Sequence, residues 1–172
     1  MLETEKELKK FRDYVIKESR TNLTKLKKNS SKKLYNSLKG EYKLMANSFS
    51  LYFSMEDYGH FQDKGVNGLK RSQNSEYSFK KGVPSKAMLG SLDKWIVRKG
   101  LAPRNKQGKF VNRLSLKFAI AKGIFNKGIK RSLFFTKPFE AAYKNLPSEL
   151  VVKYGLDAIT LFNITVQQPK KK

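Results

Sequence analysis

The sequence has no cysteine, one histidine and one tryptophan, and only 14 acidic residues among 172. The absence of cysteine excludes disulfide bonds and thiolate metal sites. No apolar run approaches the roughly 18 residues that a membrane-spanning helix needs. The opening stretch, MLETEKELKK, lacks the apolar segment of a secretory signal. These absences fit a protein of a reducing cytoplasm and give no reason to expect a membrane partner.

Positive charge is what the chain has in excess. Its 37 lysine and arginine residues give a net charge of +23. Residues 81–130 contribute +12 of this charge, whereas residues 41–80 are neutral. A surplus of this size indicates a polyanionic partner: nucleic acid, an anionic membrane surface or an acidic protein. Most of the cations are lysine, which suits nonspecific attraction to phosphates rather than base readout. An AT-rich genome would produce the same lysine bias.

Hydrophobic periodicity predicts several helices and one hairpin. Apolar residues recur at helical spacing in six segments: 3–28, 32–38, 85–100, 112–127, 138–144 and 147–162. Residues 41–46 and 49–55 instead alternate between apolar and polar, which predicts an antiparallel hairpin, and residues 164–166 are predicted as a last strand.

This pattern predicts the α+β class. We expect a small antiparallel sheet built around the hairpin, packed against a long N-terminal helix and several C-terminal helices. The chain length favours a single domain over residues 1–172. Within it, residues 66–111 are predicted as an insertion or extended loop region and residues 167–172 as a flexible tail.

The stretch FSLYFSMEDYGHFQDKGVNG, residues 49–68, holds the only histidine, His60. Three carboxylates lie near it in sequence, those of Glu56, Asp57 and Asp63. A histidine among carboxylates is a candidate for a metal-dependent nuclease or a general base. The other acids show no metal-ligand spacing, and no nucleotide-binding or hydrolase motif is present. We therefore predict a protein that is not an enzyme, with no catalytic residue, metal or cofactor.

In the alternative that we prefer for this stretch, Glu56 and Asp57 end a strand. Tyr58, Phe61 and Gly65 would then shape the turn that follows it.

Six cations in and beside the stretch LAPRNKQGKFV, residues 101–111, are candidates to face nucleic acid. They are Arg98, Lys99, Arg104, Lys106, Lys109 and Arg113. A run of charge is usually only a solvated surface, but residues 81–130 carry a single acid, Asp93. Direct phosphate contact and a plain solvated surface both remain open at this point.

The aromatic residues lie mostly on apolar stripes and are predicted to form the core rather than to stack on bases. Phe134 and Phe135 are an exception, because two adjacent residues of an extended segment point to opposite sides. One of them is predicted to face a partner subunit.

Three segments resemble the tail-completion, or neck, proteins of tailed bacteriophages. The first is the long N-terminal helix leading into LYNSLKGEYKL and the hairpin. The second is the strand and turn FSLYFSMEDYGHFQDKG, with Tyr58, Phe61, Gln62 and Gly65. The third is GIKRSLFFTKPFEAAY, with Phe134, Phe135, Pro138 and Phe139. Residues 66–111 lie outside the resemblance.

The resemblance implies a nonenzymatic structural subunit of a virion, either a head–tail connector or a tail-completion subunit that closes the top of a tail. Such a subunit would form a homo-oligomeric ring at the portal–tail junction near the DNA channel, beside other neck, portal or tail proteins. It would be made in the cytoplasm of a bacterial host and would contact the packaged DNA nonspecifically. Aromatic residues of the matching segments are then predicted at a subunit interface: Tyr58, Phe61, Phe134, Phe135 and Phe139. The alternative function is a free, non-sequence-specific nucleic-acid-binding protein, although the neutral block 41–80 suits a protein–protein surface better.

Overall fold

The computed structural model describes residues 3–45, 48–146, 148, 150 and 152. Its helices are α1 (Glu3–Lys25), α2 (Lys33–Ser37), α3 (Tyr58–Lys64), α4 (Lys86–Lys99), α5 (Arg113–Lys127) and α6 (Thr136–Tyr143). Its strands are β1 (Lys39–Met45), β2 (Ser48–Ser54), β3 (Val66–Asn67) and β4 (Gly128–Ile129). The strands form two antiparallel pairs, β1–β2 and β3–β4. The predicted α+β class is confirmed.

The chain divides into two compact units. The first unit comprises residues 1–25, 33–56 and 134–172, and the second comprises residues 26–32 and 57–133. The second unit holds 21 of the 37 basic residues and 4 of the 14 acids, so its net charge is +17 and +6 remains for the first. The basic character of the protein therefore belongs mainly to one unit.

Helix α1 supplies one wall of the core of the first unit. Its buried apolar residues recur at spacings of three and four, as predicted for an amphipathic helix: Leu8, Phe11, Val15 and Leu23. The helix ends at Lys25, three residues before the predicted end. Lys27 has a φ of 53°, which is incompatible with a continuing right-handed helix. Leu26, which lies within the predicted helical segment but beyond the end of α1, is consequently 47% exposed.

The predicted hairpin is confirmed. In its register Tyr42 lies opposite Leu51, and Gly40 lies opposite Phe53. Because the side chains of a strand alternate, the half-buried apolar residues of both strands face the same side and pack on the core containing Leu8. Tyr42 Oη donates to Glu5 Oε1 at 3.1 Å, which ties the hairpin to α1. Partial burial and this hydrogen bond raise the pKa of Tyr42.

Phe134 and Phe135 both pack in the apolar clusters of the first unit, and they do not form the extended pair that the sequence predicted. Phe134 is completely buried among Leu23, Leu34 and Leu38. Phe135 packs edge-on against Phe53 with the ring centroids 5.4 Å apart. The two residues form a turn leading into α6 rather than a strand, so their side chains diverge into two neighbouring apolar clusters.

Phe139, one turn further along α6, is also occupied within the first unit. Its ring centroid lies 5.6 Å from that of Phe11 and 6.0 Å from that of Phe53. It stacks in addition on Tyr143. Phe139 is half-buried by these contacts.

In the second unit, the paired strands β3 and β4 approach each other so closely that only glycine fits at the contact. Gly128 has φ 78° and ψ −174°, a combination essentially restricted to glycine. A Cβ placed on Gly128 would lie 2.3 Å from Val66 O, and one on Gly68 would lie 2.3 Å from Asn126 O. The two backbone segments therefore touch without intervening side chains.

Asn67 organises the loop that follows β3. Its Oδ1 accepts hydrogen bonds from the backbone N–H groups of Gln73 and Ser75 at 2.7 and 3.2 Å. Its Nδ2 donates to Ser75 O at 2.6 Å and to Ser78 Oγ at 3.1 Å. An isolated parallel bridge joins Asn67 and Ser78. The long polar loop is thus a hydrogen-bonded structure rather than an open chain.

The turn predicted around Tyr58 and Phe61 is wrong, because these residues form helix α3. Tyr58 and Phe61 are 40% and 41% exposed. The ring of Phe61 contacts Tyr77 edge-on, with centroids 4.9 Å apart. Gln62 Oε1 accepts from Lys28 Nζ at 2.9 Å, and burial lowers the pKa of this lysine.

Helices α4 and α5 pack through Leu92, Ala121 and Phe125, the core of the second unit. The apolar stripe predicted along α5 is only half confirmed. Ala121 and Phe125 are buried, whereas Leu114 and Phe118 are 55% and 46% exposed.

The helix predicted over residues 147–162 lies outside the described residues, apart from positions 148, 150 and 152. The strand predicted over 164–166 and the tail 167–172 also lie outside them. Among the residues that the structure does describe, no helix has the length and apolarity to cross a membrane.

Candidate nucleic-acid interface

The two helices beside residues 101–111, which we term the basic loop, are both capped. Gly100 adopts a left-handed conformation with φ 62° and ends α4. Asn112 Oδ1 accepts from the backbone N–H of Leu114 at 2.8 Å and begins α5. Both caps follow from local chemistry, since glycine accommodates a positive φ and asparagine is a favoured N-cap residue. The loop therefore begins and ends at defined points of the second unit.

Hydrogen bonds within the basic loop make it a small hairpin. Asn105 Oδ1 accepts from the backbone N–H groups of Gln107 and Lys109 at 3.0 and 2.9 Å. Asn105 N donates to Lys109 O at 2.8 Å, and Val111 N donates to Pro103 O at 2.9 Å. Although all residues from 101 to 110 are exposed, the loop is held by its own backbone and one amide side chain.

Arg104 and Phe110 face each other across this hairpin. They form an antiparallel bridge, and the Arg104 Cζ lies 4.0 Å from the centroid of the Phe110 ring. Arg104 Nη1 also donates to Gly108 O at 2.7 Å. A guanidinium over an aromatic face is an attractive arrangement. Part of the Arg104 side chain is thus used to hold the loop in shape.

The remaining predicted cations lie in the hairpin or on the helix ends that flank it in sequence. Arg98 and Lys99 stand in the last turn of α4, where the negative end of the helix dipole favours them. Lys106 and Lys109 belong to the loop itself. Arg113 begins α5, where the positive end of the helix disfavours a cation. All six predicted residues are exposed and lie within 16 consecutive positions of one unit.

The sequence on either side of the basic loop contains no acidic residue. Residues 94–139 include 13 basic residues and no Asp or Glu. The nearest preceding acid, Asp93, is engaged by Lys117 at 3.2 Å between α4 and α5. Neighbouring cations of one sign raise the local potential for anions. The site is chemically suited to bind phosphate groups.

The histidine stretch forms no comparable site. His60 is exposed on α3, whereas Asp63 on the same helix is buried. Glu56 belongs to the first unit, where its carboxylate pairs with Lys33 at 2.8 Å. In the part of the chain that the structure describes, no three His, Cys, Asp or Glu residues cluster as metal ligands.

Sequence reasoning missed Phe110, which is 64% exposed among the cations, and Asn105, which shapes the loop. The signal for Asn105 was present, because asparagine followed by a glycine three residues later is typical of a turn. No local signal marks Phe110 as exposed, since an isolated phenylalanine in a loop is as compatible with a core position.

No protein-family model, curated protein or solved structure is significantly similar to this chain.

Proposed function

We propose that the protein is a nonenzymatic structural subunit of a tailed bacteriophage, of the tail-completion or neck class, and that its basic loop contacts the packaged DNA. In this proposal copies of the chain form a ring at the portal–tail junction, beside other neck, portal or tail proteins of the virion. The resemblance of the hairpin and late aromatic segments supports the class. The observation that carries the DNA contact is the shape-restrained, acid-free basic loop.

The form of the loop favours a partner over a merely solvated surface. A flexible run of lysines would lose conformational entropy on binding, whereas this hairpin is already held by the hydrogen bonds of Asn105. Arg113 is disfavoured by the dipole of α5, and a bound phosphate would remove that cost. The first unit carries a net charge of only +6, which is compatible with protein–protein contacts.

The aromatic residues available for a subunit interface are fewer than predicted. Phe134 is buried, and Phe135 and Phe139 are half-buried in the core of the first unit. Tyr58 and Phe61 are the two of the five that keep about two-fifths of their side chains exposed. We propose these two as the aromatic contacts between subunits.

Replacing Lys106, Lys109 and Arg113 together by glutamine should weaken binding to duplex DNA about tenfold or more at low salt. Each phosphate contact releases counterions when DNA binds. The loss of three contacts should therefore decrease the slope of log affinity against log salt by about 2 to 3. Fluorescence anisotropy titrations at several salt concentrations measure both quantities. Arg104 is kept, since its removal would alter the loop.

The matched control replaces three exposed lysines of the first unit by glutamine: Lys9, Lys17 and Lys43. Both triple variants lower the net charge from +23 to +20. The control should weaken binding less than about threefold. Equal losses in the two variants would mean that only total charge matters and that the basic loop is not the contact.

Location in the virion tests the class of the protein. A chain tagged at its C-terminus should be found by negative-stain microscopy at the head–tail junction of purified virions. Label on the capsid shell or the distal tail would reject the proposal. A chain that is absent from virions yet still binds DNA through the basic loop would support the free nucleic-acid-binding alternative instead.

A further inference from the structure

Phe110 is an exposed aromatic ring in a strongly basic setting. Single exposed apolar residues are normal on protein surfaces and by themselves indicate nothing. Tyr52 on β2, also 64% exposed, is an example. It stands opposite Glu41, whose charge would repel a phosphate. Phe110 differs because its neighbours in sequence are Lys106 and Lys109 of the loop and Arg113 at the start of α5, rather than an acid.

The orientation of the Phe110 ring is also restrained. The Arg104 guanidinium covers one side at 4.0 Å, and the hydrogen bond from Arg104 to Gly108 O holds that guanidinium in place. Most of the remaining ring surface is in solvent. A ring that is fixed before binding loses little entropy when a planar ligand stacks on it.

A nucleobase next to its phosphate is the ligand that matches this combination. Proteins that bind single strands combine cations that follow the backbone with aromatic rings on which bases stack. In a duplex the bases already stack on one another and their faces are not available to a protein ring. An exposed ring would therefore distinguish unpaired from paired nucleic acid, whereas cations alone would not.

We propose that Phe110 is a stacking surface for an unpaired nucleobase, so that the basic loop binds single-stranded nucleic acid more tightly than duplex. This inference rests on the proposed binding of phosphate groups by the basic loop, not on the packaged duplex as its ligand, and it names the form of nucleic acid that the loop prefers. Arg104 acts as a positioning residue that fixes the ring, and Lys106, Lys109 and Arg113 bind the adjacent phosphates.

The test compares Phe110→Leu with the wild-type chain on three labelled probes of equal length: oligothymidylate, oligouridylate and a DNA duplex. The variant should lose about tenfold in affinity for both single strands, because stacking on an aromatic ring is lost. Duplex affinity should change by less than about twofold, and the salt slope should not change. Phe110→Trp should retain or raise the single-strand affinity. A loss on only one of the single strands would show whether DNA or RNA is the source of the base.

Tyr52→Leu, a ring of equal exposure in the first unit, should leave all three affinities unchanged. If Phe110→Leu binds every probe as the wild type does while the basic-loop triple variant is weakened, stacking is overturned and the phosphate contact stands. If Phe110→Leu weakens duplex and single strands equally, or if Phe110→Trp fails to rescue, the ring only supports the loop. If the triple variant also binds normally, the proposed DNA contact itself fails.

Discussion

Gly128→Ala is expected to lower the free energy of unfolding of the second unit by about 3 kcal/mol or more. A Cβ at this position would meet Val66 O at 2.3 Å and Gly68 N at 2.6 Å, both backbone atoms that no rotamer change can move. The φ of 78° adds a conformational cost for any residue with a side chain. A urea titration followed by fluorescence of the only tryptophan, Trp95 on α4, reports on this unit.

Gly90→Ala is the matched control. Gly90 lies in α4, and a Cβ added there would have no neighbouring atom within 4 Å. Alanine favours helix over glycine, so this change should stabilise the unit by up to about 1 kcal/mol. The two substitutions add the same methyl group to the same unit. If both variants unfolded at the same urea concentration, the close approach of the β3 and β4 backbones would be refuted.

Phe134→Ala is expected to cost about 3–5 kcal/mol of stability in the first unit, the range for removing a buried phenylalanine ring. Phe134 is completely buried, and its cavity would be lined by Leu23, Leu34 and Leu38. Urea denaturation followed by far-ultraviolet circular dichroism measures the loss. Phe49→Ala, a 42% exposed residue of β2, serves as the control and should cost about 1 kcal/mol or less.

The same variant separates the buried role of Phe134 from the interface role that its sequence position suggested. A residue at a subunit interface would leave the isolated chain as stable as before and would change only its sedimentation. An unchanged denaturation midpoint with altered sedimentation would therefore favour the interface role and contradict the buried position.

Local signals predicted local features well. Ser85 and Asn112 were predicted to begin helices, and their side chains accept backbone hydrogen bonds from Met88 and Leu114. The hairpin followed from strict alternation, because a shift of one residue would turn its apolar face to solvent. The segment containing Tyr58 was assigned to a turn because seven residues are too few for a helical period to show.

Charge in the sequence indicated candidate residues for the site, but the sequence did not show how they are arranged. All six predicted cations are exposed, and charge alone was enough to find them. The partition of roles among them needed the structure. Arg104 was predicted to face nucleic acid like the other five cations. Its guanidinium lies over Phe110 and donates a hydrogen bond to Gly108 O.

The sequence by itself determined the α+β class, the helix caps, the hairpin and the concentration of positive charge, because each depends on neighbours within a few residues or on composition. Only the tertiary structure decided that Phe134 is buried, that Gly128 must be glycine and that Phe110 is exposed. These outcomes depend on residues far apart in the chain, such as Leu23 beside Phe134 and Val66 beside Gly128. Tertiary packing decides whether a distant segment covers a ring or approaches a glycine, and no local sequence pattern encodes that outcome.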